Sequence, residues 1–347
     1  MDRTALPAPG QDDSRPPGFV APRSPLEETL AGIWAEVLGC EQVGIRENFF
    51  DLGGHSLLAV KLMDLIGKRL GSSLHLNTLW FGVATIESQA QAIASAGAGD
   101  RSSRVVVMQP GGKRTPLFCI HTIGGGNLFH YSRLVEHLGG DRPVYGLQAR
   151  GIDGSELPDH SVEAMAAYCI ESLRTVQPDG PYLLCGYSSG GVVGFEMARQ
   201  LERGGQSQVR LFLIDTYHPR HVLSISQRMA KWLGVIRKKQ YRTIQERIYH
   251  LLLAPSGLQR LRRLRALGES HRWALWSYDP KPYTGDLVFL ESDMTSSSDL
   301  PPHAGWREHV KGEILLVNLP GSHSQIVHEP HVAGLARRLN EYLDNDY

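Results

Sequence analysis

The chain has no surplus of charge. Its 36 Lys and Arg are matched by 36 Asp and Glu, so no global field draws it toward nucleic acid or an acidic membrane surface. No apolar run approaches the ~20 residues of a membrane-spanning helix, which argues against a membrane partner. The opening MDRTALPAPGQDDSRPPG lacks the apolar segment of a secretory signal, and a cytoplasmic protein is expected. Cysteine is scarce. Cys40, Cys119, Cys169 and Cys185 are scattered without CxxC spacing, so a zinc site or disulfide framework is not indicated, and they read as reduced core thiols. No internal repeat of about 20–50 residues recurs, which argues against a solenoid or propeller. What is present is material for a core: 41% of the 347 residues are hydrophobic and 21% charged, which excludes wholesale disorder. At roughly 100–200 residues per domain, the length accommodates two.

Texture along the chain divides it. Residues 1–25 are rich in Pro, Gly, Asp and Ser without apolar periodicity and read as a linker. From Leu26, apolar residues recur at helical spacing through Ile33 and Val37, with Ser24 and Pro25 as N-cap and first helical residue and an end near Gly39. Leu57, Leu58, Leu62, Leu65 and Ile66 predict a second helix that starts within Gly53–Ser56. A short segment at 78–81 and a weaker helix at 86–95 complete a small four-helix bundle over 26–96. Residues 97–104 form a flexible linker. From 105 to 347 short β-rich runs alternate with helical patterns, as in a largely parallel α/β sheet. Residues of about 217–278 interrupt the alternation with long amphipathic helical segments and read as a lid insertion.

Within the sheet region, YLLCGYSSGGVVGFEMARQLE is a buried strand, a Gly186-Tyr187-Ser188-Ser189-Gly190 turn and an amphipathic helix. This is the G-x-S-x-G elbow in the context that gives it meaning. The turn must strain its central residue and bring chain and helix close, so the flanking positions need glycine. Only Ser188 satisfies that frame. A serine at neutral pH needs a base, and the base needs an acid to fix its tautomer. In the α/β-hydrolase order the acid ends the next strand, and VRLFLIDT ends in Asp215 and Thr216 after its apolar run. The histidine follows the last strand, and EILLVNLPGSHSQ places His323 there, ahead of neighbours such as His303, His309, His328 and His331. Acyl transfer also needs donors for the developing oxyanion. The Ser189 backbone N–H is one candidate. LFCIHTIGGGN supplies a loop for the other, with Ile123 as the expected N–H, and the absence of Lys-Ser/Thr after its glycines excludes a P-loop.

Ser56 reads, from its residues alone, as a helix N-cap after Asp51-Leu52-Gly53-Gly54-His55. The longer stretch NFFDLGGHSLLAVKL, however, resembles the attachment signature of peptidyl carrier domains in nonribosomal peptide synthetases. The preceding FVAPRSPLEETLAGIWAEVLG resembles the join between an adenylation domain and its carrier, and the second half resembles the type I thioesterase that ends such assembly lines. The resemblance covers nearly all the chain after about Gly18. It implies a peptidyl carrier bundle followed by an α/β-hydrolase thioesterase with a helical lid. It further implies 4′-phosphopantetheine on Ser56, installed by a separate phosphopantetheinyl transferase, with upstream adenylation and condensation domains as partners. His55, where polyketide carriers typically have Asp, favours peptide chemistry. Thr122 stands where related thioesterases often carry proline, a departure that bears on Ile123.

The implied reaction is release of a carrier-bound peptidyl thioester through a peptidyl-O-Ser188 intermediate, by macrocyclisation or hydrolysis. Acidic residues prevail between Leu26 and Ser95, and basic ones in the expected lid, among them Arg262 and Arg263. The lid either helps dock the carrier or simply presents solvated helix faces. Two other functional classes compete with the release reaction: an interaction module with an inactive elbow, and a free-standing esterase acting on diffusible lipids. The first leaves the order of Ser188, Asp215 and His323 without a role, and the second leaves the GGHS helix without one.

Overall fold

Ser24 is extended, and its hydroxyl accepts the Glu27 N–H at 3.2 Å. With Pro25 pre-set for a first helical turn, this starts helix α1, Pro25–Leu38, which ends where Gly39 turns left-handed at φ 73°. The structure is a computed structural model that describes residues 19–49, 51–54, 56–71, 85–95, 104–123, 128–152, 156–206, 208–220, 257–294 and 301–344. Its backbone forms two units, Met1–Gly99 and Asp100–Tyr347.

In the first unit α1 buries Leu30, Ile33, Trp34 and Val37 against α2, Ser56–Leu70, and α3, Ile86–Ser95. Trp34 meets Phe49 edge-on with ring centroids 5.1 Å apart, and its indole N–H donates to the buried Gln89 of α3 at 2.9 Å. That bond lets a large polar-tipped side chain fill the centre without stranding its donor. Arg23 ties α1 to α3 by bonding both Glu27 (2.8 Å) and Glu87 (2.6 Å). Three helices of the expected four lie among the described residues. The segment 78–81, residues 1–18 of the first linker and 97–103 of the second fall outside them.

The second unit is built on seven strands: β1 Val105–Gln109, β2 Leu117–Ile120, β3 Val144–Leu147, β4 Tyr182–Tyr187, β5 Val209–Ile214, β6 Leu287–Met294 and β7 Ile314–Ser322. Their order is β1-β3-β2-β4-β5-β6-β7, antiparallel at β1/β3 and parallel elsewhere. Strands β2 and β4 are buried along their whole length, which is why they read as continuous apolar runs. Among the described residues its α-helices are α4 Ser132–His137, α5 Val162–Val176, α6 Ser189–Arg203, α7 Gly257–Ser277 and α8 His331–Leu343. The core joins Met165, Cys169 and Leu173 of α5 and Val193, Phe195 and Met197 of α6 to Leu184, Leu211 and Phe289 of the sheet.

Of the expected lid, 221–256 lies outside the described residues, as do most of the basic side chains invoked for docking. Its returning segment, α7, is anchored to the core. Tyr278, just past α7, donates to the fully buried Glu196 of α6 at 2.8 Å, and Arg199 grips the same carboxylate through two bonds of 2.7 and 2.8 Å. The expected core thiols need one correction. Cys119, Cys169 and Cys185 are buried, but Cys40 is exposed, because it lies beyond the Gly39 cap and off the apolar face of α1. All four are free. No helix among the described residues is long and apolar enough to cross a membrane.

Candidate active site

Strand β4 stops at Tyr187 and α6 starts at Ser189, leaving Ser188 at the turn with φ 53° and ψ −127°. Left-handed backbone at a residue with a Cβ costs on the order of 1–3 kcal/mol. Two backbone bonds hold it: the Ser188 N–H donates to the Ile214 carbonyl at 2.8 Å, and the Gly191 N–H to the Ser188 carbonyl at 3.1 Å. Crowding explains the flanking glycines. A Cβ on Gly186 would stand 2.6 Å from the Gly191 nitrogen, and one on Gly190 would stand 2.7 Å from the Ile120 oxygen.

The three residues singled out for nucleophile, base and acid come together. His323 directly follows β7, and its Nε2 lies 3.1 Å from Ser188 Oγ while its Nδ1 lies 3.1 Å from Asp215 Oδ2. A carboxylate only accepts, so the imidazole proton belongs on Nδ1 and Nε2 faces the serine hydroxyl as an acceptor. Asp215 follows β5, is fully buried, and takes a left-handed φ of 45° with its N–H donating to the Leu290 carbonyl at 2.8 Å. A buried carboxylate requires donors. Ser292 supplies two, its N–H to Oδ1 at 2.8 Å and its hydroxyl to Oδ2 at 2.7 Å.

Aromatic rings fix the imidazole from the sides. Tyr187 stacks on His323 at 5.2 Å and 21°, and its hydroxyl donates to the His323 carbonyl at 2.7 Å. Tyr217 meets the same ring edge-on at 5.6 Å. His130 sits on the far side of Tyr187, with ring centroids 5.2 Å apart. Burial, with His328 and His323 nearby, pushes it down to about 4, so it adds no second cation at neutral pH.

Opposite His323 lies the loop that leaves β2. The Tyr131 hydroxyl, fully buried, donates to the Ile120 carbonyl at 2.8 Å and accepts the Tyr187 N–H at 2.8 Å. It therefore bridges the ends of β2 and β4 where their ladder opens. Beyond it the Ile123 N–H, expected to face an oxyanion, donates to Ser189 Oγ at 2.8 Å. Gly124, Gly125 and Gly126 of that loop lie outside the described residues. Behind the loop, His121 packs against His271 of α7 with ring centroids 5.4 Å apart. Ser292 and Tyr131 carry no motif and were not singled out from sequence. The only available signals were a serine at the end of the strand after the acid and a tyrosine after a glycine loop.

In the first unit α2 opens at Ser56, preceded by Gly53 at φ 89° and by Gly54, whose missing side chain leaves room for Phe49. His55 lies outside the described residues. This places Ser56 at the first residue of a 15-residue helix, and the amino end of a helix suits a phosphodiester. Among the described residues no group of His, Cys, Asp or Glu comes together as a metal site.

Comparison with known proteins matches residues 115–343 to the thioesterase domain and residues 28–93 to the phosphopantetheine attachment site. A dimodular nonribosomal peptide synthase of Bacillus subtilis is 32% identical over 99% of this chain, which spans 15% of that protein. A solved four-domain nonribosomal peptide synthetase covers all of this chain at 27% identity and a TM-score of 0.61, with 28% of its own length matched. The solved NocB thioesterase domain from the nocardicin cluster covers 70% of the chain and matches over its whole length, at 24% identity and a TM-score of 0.52, which is a likeness of fold. The chain therefore spans a small part of the synthetases it matches.

Proposed function

The chain belongs to the thioesterase family, with a phosphopantetheine attachment domain ahead of the catalytic unit, and from that premise we propose that it is the terminal carrier–thioesterase pair of a nonribosomal peptide synthetase. Its reaction is release of the finished peptide from its own carrier. The observation that carries this reading is the run of two 3.1 Å contacts from Ser188 through His323 to Asp215, in a chain whose residues 28–93 match the attachment site.

Ser56 would hold 4′-phosphopantetheine, which would supply a thiol for the peptide's thioester. His323 takes the proton from Ser188 as Oγ attacks the thioester carbonyl. Buried Asp215, held by hydrogen bonds from Ser292, stabilises the imidazolium that forms. The Ser189 N–H, at the amino end of α6, faces the negative charge that develops on the carbonyl oxygen. As the tetrahedral intermediate collapses, the C–S bond breaks, the proton passes from His323 to the departing sulfur and the peptide becomes an ester of Ser188. In the second half His323 deprotonates the attacking group, either water or a nucleophile of the peptide itself, giving a linear acid or a ring. The expected linker at 97–104 would keep the carrier at roughly millimolar effective concentration.

The experiment is to treat the chain with a phosphopantetheinyl transferase and a synthetic peptidyl-coenzyme A, then follow both protein and product by mass. Wild type should gain one loaded arm and discharge it. Ser188→Ala should hold the load, and Ser56→Ala should never acquire it. An unmodified wild type, or discharge from Ser188→Ala at the wild-type rate, overturns the proposal.

A further inference from the structure

One polar group next to Ser188 has no part in the reaction steps described above. The backbone N–H of Ile123 is committed to Ser189 Oγ at 2.8 Å, so it is engaged by a side-chain hydroxyl on the residue that follows Ser188. A hydroxyl that accepts one hydrogen bond keeps its own O–H to give. Among the described residues the Ser189 hydroxyl has no acceptor, and the residue is only half-buried. Ser189 is also the residue whose backbone N–H lies at the amino end of α6, next to the nucleophile.

We propose that Ser189 serves the developing oxyanion twice, through its backbone N–H and through its side-chain O–H, with Ile123 acting through that hydroxyl rather than on the substrate. The inference rests on the acyl-transfer reading of Ser188 and adds a donor to it. The physical logic is that of a short hydrogen-bonded chain. The Ile123 N–H withdraws density from Ser189 Oγ, which makes the Ser189 proton a better donor to an anionic oxygen than to a neutral carbonyl. Such a bond strengthens as charge builds, so it lowers the barrier more than it tightens substrate binding. The packing supports a fixed geometry: Ile123 is buried, and the start of its loop is braced by Tyr131 on Ile120.

The alternative arrangement predicts the opposite sign. If the Ser189 hydroxyl merely occupies the Ile123 N–H, its removal would free that amide to face the oxyanion, and turnover would hold or rise. The test measures hydrolysis of a short acyl N-acetylcysteamine thioester by the whole chain with Ser189→Ala, Ser189→Thr and Ser188→Ala. For Ser189→Ala the expected result is a kcat loss on the order of 10²-fold with KM nearly unchanged, and weakened binding of a peptidyl trifluoromethyl ketone by a similar factor. The infrared carbonyl stretch of the acyl-Ser188 ester should shift upward as a donor is lost. Ser189→Thr, which keeps the hydroxyl, should recover most of the rate. Unchanged or faster turnover by Ser189→Ala overturns the inference, as does a KM effect alone. Turnover by Ser188→Ala equal to wild type would instead overturn the acyl-transfer reading itself, so the two failures are told apart.

Discussion

Ser292 donates its hydroxyl to Asp215 Oδ2, the same oxygen that faces His323, at 2.7 Å, and its backbone N–H to the other oxygen at 2.8 Å. The acid on β5 is therefore held by the neighbouring strand β6 as firmly as by the imidazole it orients. Removing the hydroxyl leaves a buried carboxylate with one donor fewer, and hydrogen bonds to charged groups contribute about 1.5–3 kcal/mol. Ser292→Ala should lower kcat for a small thioester roughly 10-fold with KM little changed. Steady-state kinetics check it, and a variant with wild-type kcat would show that the backbone N–H suffices.

The Tyr131 bridge between β2 and β4 makes a second expectation. In Tyr131→Phe the Ile120 carbonyl and the Tyr187 N–H both lose a buried partner, at a cost of about 1–3 kcal/mol. Urea unfolding should show that loss, and turnover should fall as well, because the bridge fixes the end of β2 relative to the strand that carries Ser188. Lower stability with undiminished turnover would mean that the bridge serves packing alone.

The Glu196 cluster separates two costs. Tyr278→Phe deletes one of several bonds to a carboxylate that Arg199 still neutralises, so a loss of about 1–2 kcal/mol is expected. Arg199→Met leaves the fully buried charge without its cation, and the expected loss is about 3–5 kcal/mol. Equal losses in denaturant titrations would contradict a charge-based account.

Much of this site was legible in the sequence because α/β-hydrolase chemistry follows chain order. A strand before Ser188, an acid after the next strand and a histidine after the last are local signals, each readable in a window of a dozen residues or so. The same holds for Ser24, Pro25 and Gly39, whose cap chemistry is local. Ser292 and Tyr131 were not legible, since their meaning depends on which strands lie side by side and on where each ladder opens. Ile123 is expected from sequence to present its N–H to an oxyanion, yet that amide turns to a hydroxyl 66 residues away. Cys40 was grouped with the core thiols, although it sits one residue past a helix cap.

Burial of the His121–His271 pair sets an acid limit. Desolvation pushes His121 down to about 4 and His271 well below its usual range, with His160 adding repulsion on the latter. For a base held low in the folded state, the stabilisation is complete above the unfolded value near 6.5 and is lost as pH falls toward 4, on the order of 3 kcal/mol for His121. Melting temperature should therefore drop between pH 7 and pH 5, and His271→Leu should drop less. Parallel melting curves for the two proteins would sink this explanation.

Ser188, Asp215 and His323 are delivered by the ends of β4, β5 and β7, and Ser292 by β6. Half the sheet must be in register before a single proton can travel. Fraying at the β7 edge should extinguish the proposed reaction before spectroscopy registers much unfolding, so a worn molecule falls silent while most of its fold persists.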